Sequence, residues 1–211
     1  MAILDKTYQA VKDLDSVIHA AKEEFLTAQK AILGTYKEPI ATQKLTEARA
    51  IREEIEVRET QKAKEIAVAD FAKVREMVYE TVTQPVPADF PATLEALKVK
   101  GDKITVSEAE SFLKKYKDNY TAYSAILNLL HQLRKADDLY LKTPDAMEND
   151  IAFWERKVLT WMQNRAGLAG ESDYITRLLT TSKANPLQKL AFEVEYFCNG
   201  GFAVVNSGAL N

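Results

Sequence analysis

Glycine and proline are scarce in this chain of 211 residues, numbering 7 and 6. Sandwiches and barrels use turn residues about every 8–12 positions, so an all-β fold is excluded. A collagen-like or Pro/Gly-rich disordered chain is excluded by the same shortage. There is one cysteine, Cys198, and hence no intrachain disulfide. A lone thiol suits a reducing compartment. The only histidines are His19 and His131, preceded three residues earlier by Ser16 and Asn128. Neither completes the Glu-x-x-His pair of a di-metal helical bundle. No sign of charge dominates. The net charge is −3, with 13 basic and 15 acidic residues over 1–84 and 15 and 16 over 85–211. Neither half has the basic excess of a nucleic-acid-binding domain. No apolar run approaches the roughly 18–20 residues of a membrane span. The first residues, Met1-Ala-Ile-Leu-Asp5, lack the basic and apolar segments of a signal peptide. The expected setting is the cytoplasm, or an assembly built there, a virion included.

What the chain does contain is helical pattern. Leu4, Val11, Ile18, Phe25 and Ile32 recur every seven residues, and Leu14, Ala21 and Ala28 fall three after the middle members. Apolar a and d positions sustained over about four heptads mark a coiled-coil-like seam. Thr7 and Thr35 are the polar exceptions at d. Gly34 and Pro39 bracket an expected corner, with Gly34 as the residue past the helix end and Thr35/Glu38 at capping-box spacing. A second helix is expected from there to about residue 83, since no Gly or Pro lies between Pro39 and Pro85. Its stripes are Leu45, Ala48, Ile51, Ile55 and then Phe71, Val74, Val78, Val82, separated by nine charges over 52–65. Folded back antiparallel, it would overshoot the first helix by one to three turns. The lapse of its stripe leaves the first helix short of apolar cover around Val11 to Phe25.

Three prolines between Pro85 and Pro91 point to an extended linker. The expected fold is therefore all-α: a long antiparallel hairpin arm over 1–84, a linker over 85–91, a helical bundle over 92–199 and an apolar tail over 200–211. Within the bundle the pattern suggests a short helix at 92–99 and an extended stretch at Ile104–Val106. A long helix would follow, opened by a Ser107/Glu110 capping box and running to about Leu141. Further helices would cover 143–166, 172–184 and 186–198.

Catalytic chemistry finds no motif. Gly101–Glu108 echoes half of an EF-hand, but Leu97, Val99 and Gly101 would occupy ligand positions without side-chain oxygen. Cys198 sits near a helix C-terminus, which disfavours a thiolate. Gly167–Gly170 resembles a phosphate-clamping loop, but Glu171 and Asp173 follow it. No cofactor, metal or small-molecule substrate is indicated. The leading expectation is a non-enzymatic interaction or assembly protein, of the kind found in multi-copy viral or phage particles. Its partner would be another protein or a second copy. Leu4, Val11, Leu14, Ile18, Ala21, Phe25, Ala28 and Ile32 form its interaction seam. Trp154, Trp161, Phe202, Val204 and Val205 are possible interface anchors. One alternative is a nucleic-acid-associated factor using the lysines and tyrosines between Lys98 and Tyr123. Another is a helical-bundle enzyme with no recognisable motif.

Overall fold

The computed structural model describes residues 3–137, 139–165, 179 and 185–205. Helix α1 spans Asp5–Thr35 and α2 spans Ile40–Thr83 without interruption. Two contacts fix their register. The backbone N–H of Thr7 donates to Asp70 Oδ2 at 2.9 Å. The Arg52 guanidinium lies 5.0 Å from the centre of the Phe25 ring. Residue numbers in both pairs sum to 77, as an antiparallel hairpin requires. By that register Asp5 is level with Ala72, and residues 73–83 of α2 run on for roughly 16 Å beyond the start of α1. The expected overshoot is present, at three turns.

The corner forms differently from its sequence signals. Gly34 stays helical, with open space around it and no left-handed backbone. The helix runs through Thr35 and is followed by Tyr36, whose backbone is extended (φ −113°, ψ 147°). The Thr35/Glu38 capping box is not made, and the Thr42 hydroxyl donates to Glu38 instead. Pro39 fits because it immediately precedes α2, where a missing N–H costs nothing.

The chain divides into two compact units: residues 1–72 with 152–191, and residues 73–151 with 192–211. In the first unit the polar d residue Thr7 is fully buried, and its hydroxyl also donates to Asp70 Oδ2, at 3.1 Å. Leu4, the residue before α1, has no side-chain cap to offer. The Asp70 carboxylate takes that place, where the helix dipole favours negative charge. Val11, Leu14, Ile18 and Ala21 are buried, as are Ala63, Ala67 and Phe71 of α2. The unit also holds the second half of α6 (Pro144–Arg165), with Val158, Trp161 and Met162 buried. It further holds the start of α7 (Pro186–Cys198), with Leu187 and Leu190 buried. Asn185 opens α7 by accepting from Leu187 N at 2.8 Å and donating to Leu179 O at 2.8 Å.

In the second unit, α3 spans Phe90–Lys100 with Pro91 in its first turn, followed by a short 3-10 turn at Gly101–Lys103. The capping box that follows uses Thr105 and Glu108, two residues earlier than the Ser107/Glu110 reading. Ile104 is extended and buried but pairs with no strand among the described residues. The expected long helix from 107 to 141 is two helices, α4 (Val106–Lys115) and α5 (Tyr120–Gln132). The break is made by Asn119. Its Oδ1 accepts from Ala122 N at 2.9 Å, and its Nδ2 donates to the Pro85 carbonyl at 3.1 Å. Beyond the turns that follow α5, β1 (Leu139–Leu141) pairs antiparallel with β2 (Ala203–Val205), Tyr140 opposite Val204. Apart from this ribbon, the elements among the described residues are helices. Residues 199–205 are thus not a separate tail. Phe202 is 0% exposed, its ring 5.2 Å from both Tyr120 and Phe197 and 5.6 Å from Tyr123.

Candidate functional site

Among the described residues no group of three His, Cys, Asp or Glu side chains could hold a metal ion. His19 is exposed, and His131 Nε2 lies 2.6 Å from the Leu139 carbonyl, at the start of β1. Burial pushes the Cys198 thiol up, against a smaller opposing effect of the hydrogen bond with Thr81. The Glu108 carboxylate belongs to the capping box. A hydrogen bond from Lys100, then one from the Thr105 backbone N–H, hold it down to about 2. The Gly167–Gly170 loop and most of the expected 172–184 helix lie outside the described residues.

The lysine and tyrosine region does not form a base-stacking platform. Tyr116 is buried edge-on against Phe90 at 5.3 Å, its hydroxyl donating to Asp89 Oδ2 at 3.0 Å. Tyr120 and Tyr123 pack on Phe202, and burial raises both phenols. Lys98, Lys100 and Lys115 pair with Glu95, Glu108 and Asp89. The Asp89 carboxyl is lowered by hydrogen bonds from Lys115 and then from Tyr116. Tyr116 follows the end of α4 whereas Tyr120 and Tyr123 lie on α5, so the i, i+4, i+7 spacing does not describe one helix face; each ring is buried by its own contacts.

The proposed interface anchors fare unequally. Trp161 is buried and Trp154 is half-buried, edge-on to Phe153 at 5.2 Å. Phe202 is enclosed by the aromatic cluster above and cannot anchor another chain. The backbones of Val204 and Val205 are taken up in the ribbon with β1.

The seam residues divide along α1. Leu4, Val11, Leu14, Ile18 and Ala21 are buried within the chain, so cover does not lapse at Val11 as the charge run suggested. Ala63 lies among those charges and Ala67 just beyond them; both are buried and supply part of it, since their small side chains allow α1 and α2 to approach closely. Beyond Ala21 the seam opens: Phe25, Ala28 and Ile32 are only half-buried. Between residues 22 and 62, Ala41 and Glu56 alone are fully buried. Leu26, Leu33, Ile40 and Ile51 stand exposed there, Ile51 at 62%. A groove of about 170 Å³ crosses this part of the hairpin. Its walls are Ala21, Phe25 and Ala28 from α1 and Ala48, Ile51 and Ile55 from α2, with Glu24 and Arg52 as its charged members. Arg52 Nε lies 3.3 Å from Glu56 Oε1, yet neither atom makes a hydrogen bond. Thr60 Oγ1, the next turn along, is likewise buried without one. The hairpin therefore carries a polar row in its own seam beside an open apolar groove. Asp70 and Glu56 were not singled out from the sequence. Asp70 could have been, as the one charge in the run Ile66–Ala72.

No family model, curated protein or solved structure matches this chain. No helix among the described residues is long and apolar enough to cross a membrane.

Proposed function

We propose that this chain is a non-enzymatic interaction protein, with residues 22–62 of the hairpin as its docking arm and the rest of the fold as its anchor. One observation carries this reading: the heptad seam continues past Ala21 while its burial does not. A seam of large apolar a residues is stable in water only when another surface covers it. Phe25, Ile32, Ile51 and Ile55 lie half-covered or exposed around a groove, whereas the same heptad positions nearer the base of α1 are closed. A protein partner burying that groove would supply the missing cover.

The test is photo-crosslinking in the cells that express the chain. A photoreactive residue would replace Ile51 on the arm or Val99 on α3, both exposed. The expected result is a discrete protein adduct at position 51 and none at 99. Adducts at neither position, or equally at both, would overturn the reading.

A further inference from the structure

Resting on that reading, we infer that the arm groove is occupied by the same groove of a second copy, the two hairpins closing face to face into a four-helix bundle. Charge complementarity singles out this occupant. Each wall of the groove has one charged residue, Glu24 on α1 and Arg52 on α2, and the two are opposite in sign. A two-fold axis parallel to the helices lays the α1 wall of each copy on the α2 wall of the other. Glu24 of each copy then meets Arg52 of its mate, and the contact forms twice, as an isologous interface demands. The other two-fold, perpendicular to the helices and centred on the groove, would stack α1 on α1 and bring Glu24 against Glu24. Like charges juxtaposed in this way suppress that arrangement.

Shape and overall charge agree with the same axis. In the hairpin register Ile51 is level with residue 26 of α1, and the parallel axis preserves that level between copies. Each exposed Ile51 is thereby set against the Glu24–Ala28 stretch of its mate, where small Ala28 leaves room for a knob-into-hole contact. Ala21 and Ala48 allow the helices to approach closely. Residues 22–62 carry eight basic and eight acidic side chains, so two arms meet without net repulsion. Association would also exclude water from the Phe25–Arg52 stack and strengthen the Arg52–Glu56 pair behind it.

The experiment is sedimentation of the full chain from about 1 to 200 µM, with thermal melting of every variant alongside. The wild type is expected to self-associate with rising concentration. Glu24→Lys and Arg52→Glu alone should each weaken association at least tenfold, because each homodimer contains two like-charge contacts. An equimolar mixture of the two should regain it, because both contacts in the heterodimer are attractive. Arg52→Glu also touches Phe25 and Glu56 within the hairpin, so Ile51→Asp is the second probe. It should abolish association while leaving the melting temperature within a few degrees. A wild type that is monomeric throughout, or a mixture no more associated than its components, would overturn the proposal. If the wild type is monomeric while position 51 crosslinks to a different protein, self-docking falls and the docking-arm reading stands.

Discussion

Asp70 illustrates how much one buried side chain can decide. It lies in an apolar stretch of α2, and both of its contacts run to Thr7, 63 positions earlier. The carboxylate satisfies a first-turn N–H of α1 that no local residue caps. Asp70→Ala would leave that N–H and the Thr7 hydroxyl buried without partners, at a cost of about 1–3 kcal/mol. Asp70→Asn keeps one acceptor and should cost less. Urea denaturation of the three proteins measures the order. Equal stability of wild type and Asp70→Ala would show that the cap contributes nothing. The polar d position at Thr7 was legible in the sequence as a break in the heptad. Its purpose was not, because the partner sits on another helix.

Single helices obeyed the sequence most closely where their punctuation is local. The long α2, its overshoot past α1, and the starts of α6 and α7 at Pro144 and Pro186 follow from the absence or presence of Pro in the chain. The α4–α5 break does not. No Gly or Pro lies between Gly101 and Pro144; α4 stops at Lys115, and Asn119 caps α5 with its oxygen while its amide is held by the Pro85 carbonyl. Along α1 the seam has one repeating pattern but two environments. Val11→Asp places an unpaired charge where exposure is nil and should cost more than about 4 kcal/mol, enough to unfold the hairpin base. Ile32→Asp, in the half-buried part, should cost about 1 kcal/mol. Circular dichroism melts of both variants separate these outcomes. Similar losses would mean that the seam is closed along its whole length.

For the whole molecule, the most consequential departure from the sequence reading is at the C-terminal end. Phe202–Val205 is too short to fold alone, and its apolar sequence suits packing on a neighbouring subunit or on the base of the hairpin. In the structure Phe202 completes an aromatic cluster with Tyr120, Tyr123 and Phe197, and β2 closes on β1. Phe202→Ala should therefore cost about 3–5 kcal/mol, and truncation after Asn199 at least as much. Both are read by chemical denaturation. If truncation leaves stability unchanged, the cluster does not close the second unit.

By itself the sequence determined the class of fold and the two long helices at its start, because heptad spacing and the placing of Gly and Pro act over a few residues; that these helices fold back antiparallel was decided by contacts such as Thr7 with Asp70 and Phe25 with Arg52. Only the tertiary structure decided where α4 gives way to α5, that residues 139–141 and 203–205 pair, and that Asp70 caps α1. It also decided that the seam closes as far as Ala21 and opens beyond it. Each of these depends on a group supplied from tens of residues away, and a local pattern cannot record which distant surface arrives to bury it.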